Sequence, residues 1–179
     1  MEQTKNKVMV RRISQLEVEE FDTILKRCFF SLLSMAEDSA EAAKNQDRQL
    51  MEKVILCDDS VNRYSDLCRR IINKGLYHKK RPAPTYFIVE NLEKIGDMYR
   101  DLMRYALNEN VKMSIEAIRL HKEVNLFLRE FYTLYYNFDL GKTNEFVTKK
   151  KNIQLQLQSL LAKSPKKEVV ILFYLNAIF

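Results

Sequence analysis

Leu92-Glu93-Lys94-Ile95-Gly96-Asp97-Met98-Tyr99-Arg100-Asp101 places three carboxylates, Glu93, Asp97 and Asp101, at i, i+4 and i+8. The stretch also holds one of only three glycines in the chain. At about 100° per residue for a helix, the three acids share one narrow sector. Ile88, Leu92, Ile95, Tyr99, Leu102 and Ala106 form an apolar seam on nearly the opposite side. The spacing predicts a long helix over 85–107, buried along the seam, with its acids facing outward or into a groove. Like charges four residues apart repel, so this ladder needs cations to answer it. Mid-helix Gly96 costs about 1 kcal/mol relative to alanine, which predicts close approach of a neighbouring helix.

Outward from that helix the same period recurs. Phe21, Ile24, Leu25, Cys28, Phe29, Leu32, Ala36, Ala40 and Ala43 predict a helix over 17–45. Asp47 is placed to cap a second helix over 48–74, with Gly75 just past its end. That helix carries a second polar ladder, Asp58, Asn62 and Asp66, beside the stripe Met51, Val54, Ile55, Val61, Cys68, Ile71 and Ile72. Pro82 and Pro84 are expected to close a basic loop over 76–84 and to bar helix before 85. Further helices are expected over 110–138, stopped by Gly141, over 143–163, and from the Ser164-Pro165 pair onward. Six helices with short connections predict an antiparallel bundle.

Composition agrees with an all-α chain. Three glycines and three prolines in 179 residues are too few for a strand-and-turn protein. A 46% hydrophobic content allows a sizeable core, and the net charge of +6 is dispersed. Cys28, Cys57 and Cys68 are odd in number and show no C-x-x-C, so they read as reduced thiols. Met1 to Arg12 lacks the apolar core of a leader, and no run approaches the ~18 apolar residues of a spanning helix. Val169 to Phe179 reads as a core helix cut short.

Leu92 to Asp97, L-E-K-I-G-D, resembles the L-E-R-I-G-D signature of PhoU-type helical domains. Phe21 to Arg27 with Leu32 to Asp38 resembles the first helix of the archaeal type. Asp58 to Arg63 with Cys68-Arg69-Arg70 resembles its second, and Tyr86 to Asp97 its third. The resemblance spans roughly residues 15–108. It implies a bundle of two three-helix repeats, with a lead-in at 1–14, a first repeat at 15–108, and a diverged, incomplete second repeat at 109–179. It further implies a cytoplasmic, non-enzymatic regulator of phosphate uptake, a homodimer peripheral to a membrane at most. Its protein partners would be phosphate transporter or sensor components, and it would reach DNA only through a separate AbrB-like domain. Some relatives bind metal through such acidic ladders, which makes Asp58, Asn62, Asp66, Glu93, Asp97 and Asp101 candidate ligands of a divalent or ferric ion. Arg100 and Arg104 stand where the family has small or acidic side chains.

Two readings of the ladders follow. Converging on adjacent antiparallel helices, they would offer oxygen ligands for Mg, Mn, Fe or Zn. Alternatively, Asp97–Arg100 and Asp101–Arg104 pairs at i+3 would make a charge-balanced face. Laying Leu175 on Leu92 and Ile178 on Ile95 puts Asn176 in place of Glu93 and Lys149-Lys150-Lys151 near Asp58-Asp59. Any acidic site is therefore confined to the first half.

The remaining motifs point away from catalysis. Gly141-Lys142-Thr143 mimics the end of a phosphate-binding loop, but residue 136 is tyrosine where that loop needs glycine. His78 and His121 have no acidic or cysteine partner at ligand or triad spacing, so they read as surface or packing residues. Lys74, Lys79, Lys80 and Arg81 around Tyr77 read as a solvated loop, with an acidic partner or nucleic acid as the alternative. The strip Phe127, Phe131, Tyr132, Tyr135, Tyr136 and Phe138 reads as core or self-association surface.

Overall fold

The structure is a computed structural model and describes residues 2–4, 7–9, 20–77 and 82–178. Its helices are α1 (Glu20–Asn45), α2 (Arg48–Asn73), α3 (Pro82–Glu109), α4 (Ile115–Tyr136), α5 (Leu140–Leu161) and α6 (Lys166–Ala177). They form an all-α helical bundle, the architecture that the apolar periodicity predicts. Within the lead-in, β1 (Glu2–Thr4) and β2 (Lys7–Met9) pair as a two-stranded antiparallel sheet, with Gln3 opposite Val8. Strands of three residues are too short to show alternation in the sequence.

Helices α1, α2 and α3 pack on one another, with α2 against both of the others. α4, α5 and α6 pack likewise, with α5 against α4 and α6. The two groups meet through α1 on α4 and α3 on α6, which leaves α2 and α5 on the outer flanks. Leu25, Phe29, Leu32 and Met35 of α1, Tyr99 and Leu102 of α3, and Leu172 of α6 are wholly buried in the resulting core.

The helix ends follow local chemistry. Asp47 caps α2 by accepting a hydrogen bond from the Leu50 N–H at 3.0 Å. Gly75, at φ +67°, ends the same helix: its N–H donates to the Ile72 carbonyl and that of Leu76 to Ile71. This is the left-handed termination that favours glycine.

Several boundaries differ from expectation. α3 begins at Pro82, not after Pro84, because first-turn positions need no amide donor. α4 begins at Ile115, capped by Ser114, after a non-helical linker whose Val111 and Met113 are buried. Gly141 does not stop α4; that helix ends at Tyr136, and Asp139 caps α5 by accepting from the Lys142 N–H at 3.0 Å. At α6 the cap residue is Pro165, and Ser164 contributes no side-chain cap. No helix among the described residues is long and apolar enough to cross a membrane.

Candidate functional site

The two polar ladders meet across the α2–α3 crossing, and arginines stand between them. Asp58 is 3% exposed on α2. Its Oδ2 accepts from Arg100 Nη1 of α3 at 2.8 Å and from Asn62 Nδ2 at 3.1 Å. The same Nη1 bonds Asp97 Oδ1, while Arg100 Nε donates to Asp101 Oδ1 at 2.9 Å. Arg104 Nη1 reaches Asp101 at 3.2 Å. The two i+3 pairs of the charge-balanced reading, Asp97–Arg100 and Asp101–Arg104, are therefore present, and Asp58 joins the first of them.

One end further along, the roles of the helices are exchanged. Arg69 of α2 donates from Nη1 to Glu90 Oε1 at 2.7 Å and pairs with Glu93 Oε2 on α3. Its Nη2 holds Asp66 Oδ1 at 2.6 Å. Ser65 Oγ donates to Asn62 O at 3.0 Å and lies 3.4 Å from Glu93 Oε2. Each helix thus lends one guanidinium to the acids of the other. Arg100 is held above the usual arginine range, first by its bond to Asp101 and then, against the pull of burial, by Asp58. For Arg69, burial pulls the other way but is outweighed by the bonds to Asp66, Glu90 and Glu93.

Gly96 explains how the helices come this close. A Cβ there would lie 3.2 Å from Asp58 Oδ1 and 3.2 Å from Val61 Cγ1. The expected tight crossing is what the glycine serves. Asp58 Oδ1 and Asn62 Oδ1 are buried without a hydrogen-bond partner among the described residues. Among those residues, no group of three or more His, Cys, Asp or Glu side chains is disposed to hold a metal ion.

Sequence reasoning missed Arg69 and Glu90, although Arg69 follows Asp66 at i+3 and so continues its ladder. It also missed a buried polar network between the two helix groups. His121 of α4 is wholly buried, with Nε2 2.9 Å from Ser39 Oγ of α1 and its ring stacked on Tyr99 of α3. Burial pushes its pKa down to about 3. Tyr99 donates to Asn125 Oδ1 at 2.7 Å, and Asn125 Nδ2 donates to the Ala36 carbonyl. His121 is therefore a packing residue, without a carboxylate or thiol partner among the described residues. His78, Lys79, Lys80 and Arg81 lie outside the described residues.

Cys28 and Cys68 are buried and Cys57 half-buried, all unpaired. Burial pushes the Cys28 and Cys68 thiols up to about 12, so neither is a reactive thiolate. Phe29 of α1 sits among Phe131, Tyr132, Tyr135 and Tyr136, which places most of the aromatic strip in or against the core. Phe138 is exposed.

Among solved structures, one match is to a protein described as a PhoU-like phosphate regulatory protein from Shewanella oneidensis MR-1. It is 13% identical, covers 90% of this chain and 88% of that one, and has a TM-score of 0.41, a likeness too loose to carry argument. No curated protein matches. What does match is the PhoU domain, whose family model covers residues 25–106, from Leu25 in α1 to Ala106 in the last turn of α3.

Proposed function

We propose that this chain is a regulatory binding domain in phosphate homeostasis that acts through protein contacts and not by catalysis. The observation that carries this reading is the PhoU-domain match over residues 25–106. The side chains agree with it in kind. Among the described residues the α2–α3 charges are spent on one another, the two buried thiols are inert, and the Ser39–His121 pair is wholly buried, out of reach of a substrate.

A contact surface is available at a cleft of about 360 Å³ between α3, α4, α5 and the end of α6, lined by Phe87, Ile95, Phe127, Phe131 and Phe146 with Lys94 and Lys150. Aromatic walls with cationic side chains suit an amphipathic acidic segment of a partner. In this reading the domain works in the cytoplasm as a homodimer, at most peripheral to a membrane, and engages phosphate transporter or sensor components. Any contact with DNA would come through a separate domain.

The test is retention of transporter and sensor components from the same genome on the immobilised chain, in phosphate-replete and phosphate-starved extracts. Retention that changes with phosphate supports the role, and Phe87→Asp with Lys94→Glu should weaken it. Failure to retain either component under both conditions removes it. The second reading, a structural or oligomerisation bundle of a larger transcriptional regulator, draws on the exposed apolar side chains Phe138, Leu140, Leu155 and Phe173. It predicts a stable oligomer by light scattering whose formation is indifferent to phosphate.

A further inference from the structure

The metal that the acidic ladders suggest must be compared with the donors actually assembled there. Asp58 is the most deeply buried of the six candidate side chains; its Oδ2 is spent on two donors, and its Oδ1, though without a hydrogen-bond partner among the described residues, is packed against α3. Oδ2 lies 2.8 Å from Arg100 Nη1 and 3.1 Å from Asn62 Nδ2. Oδ1 is pressed against α3, only 3.2 Å from where a Cβ of residue 96 would stand. An ion bound at ~2.0–2.6 Å with further oxygen ligands would need that space. Asp97 and Asp101 each bond Arg100, and Glu93 and Asp66 each bond Arg69. A guanidinium delivers positive charge through a planar set of donors and accepts no ligand, so it replaces a cation where it sits. The acids still outnumber the arginines, but Asp66 is largely solvated, where water and salt screen its charge.

From this donor set we infer that the cation of the α2–α3 crossing is built into the chain: Arg100 occupies the position a divalent ion would take between Asp58, Asp97 and Asp101, and Arg69 does the same for Asp66, Glu90 and Glu93. The crossing is therefore metal-independent, and the buried oxygens become ligands only when Arg100 is removed.

The test titrates Mn²⁺ into the full chain and into Arg100→Gln, Arg100→Ala and Arg69→Gln, reading bound ion by electron paramagnetic resonance and the melting temperature with Mn²⁺ or EDTA. The wild-type chain is expected to show no saturable binding and no melting shift with either reagent. Arg100→Gln should bind Mn²⁺ saturably, with a Kd at least ~10-fold below the highest Mn²⁺ concentration at which the wild-type chain shows no saturation. Its melting temperature should fall and then recover on adding the ion. Asp58→Asn in the Arg100→Gln background should abolish both gains. Should Arg100→Ala not fold, Arg100→Lys keeps a cation in place and should fold without binding Mn²⁺. Stoichiometric Mn²⁺ on the wild-type chain with a raised melting temperature would overturn the inference. So would Arg100→Gln that folds and binds no more tightly than wild type.

Discussion

Gly96 shows how one residue type can be read from sequence while its neighbours cannot. On an isolated helix, alanine there would gain about 1 kcal/mol. In the protein its Cβ would meet Val61 and Asp58 at 3.2 Å, and Asp58 cannot retreat while Arg100 and Asn62 hold it. Overpacking of this kind costs about 1–3 kcal/mol. Gly96→Ala is therefore expected to destabilise the protein despite its helix propensity, measured as a lower urea midpoint at unchanged slope. The acid ladders were legible because each repeats along its own helix. The cations that answer them were only half legible: Arg100 lies within its own ladder's reach, whereas Arg69 serves Glu90 and Glu93 on another helix. That pairing follows from the crossing, not from local spacing. His121 is a second case, since nothing adjacent to it announces Ser39 or Tyr99. Its folded pKa of about 3 lies below the ordinary 6.5. It thus contributes stability that is fully present above about pH 6.5 and lost as the pH falls toward 3, at up to about 1.4 kcal/mol per pH unit. Urea midpoints at about pH 7, 6 and 5 should fall more steeply for the wild-type chain than for His121→Gln, because only the former must take up that proton on unfolding.

At the scale of elements, apolar period identified all six helices, and capping chemistry decided where they end. The expectation was right at the Asp47 cap and the Gly75 terminator, and missed Ser114 and Asp139, which cap α4 and α5. It slipped also where a non-helical linker carried buried apolar residues, as at Val111 and Met113, or where proline entered the first turn, as at Pro82 and Pro84. The helices also differ in how firmly they are held. α1 buries residues along its whole length, from Phe21 to Ala43. α5 buries only Ile153, Leu157 and Leu160, all in its second half, and lies on the outer flank against α4 and α6. Its first turns rest on the Asp139 cap, the Phe146 stack on Phe127 and the Lys149–Glu130 ion pair, while Leu140 and Val147 face solvent. Exposed ion pairs contribute about 0–1 kcal/mol, so little there resists opening. Amide exchange followed by mass spectrometry should find residues 140–150 exchanging well before α1, with protection rising past Ile153. Equal protection along α5 would show that its outer face is covered in solution.

For the whole molecule the question is whether the two helix groups unfold separately. The PhoU-domain match ends within α3, and α1 to α3 pack on one another, which makes the first group look self-sufficient. The contacts between the groups argue otherwise. Ala36 and Ser39 of α1, Tyr99 of α3, and His121 and Asn125 of α4 share a run of buried hydrogen bonds, with only His121 Nδ1 of the ring left without a partner among the described residues. Separating the groups would expose that network together with the apolar side chains that seal it, and a partly separated state would leave buried donors without acceptors at about 1–3 kcal/mol each. Glu168 of α6 adds a tie by accepting from the Ser114 N–H at the start of α4, 2.5 Å away, which keeps the second group in one piece. The chain is accordingly expected to unfold in one cooperative transition, apart from local opening of early α5. Tyrosine fluorescence, which reports the Phe29 aromatic cluster joining α1 to α4, and far-ultraviolet circular dichroism should then give coincident urea curves, with calorimetric and van't Hoff enthalpies equal. Asn125→Val should shift both curves together toward lower urea. Two separated transitions, with only the later one reporting α1 to α3, would mean that the first group folds alone and that the shared polar network adds fit without cooperativity.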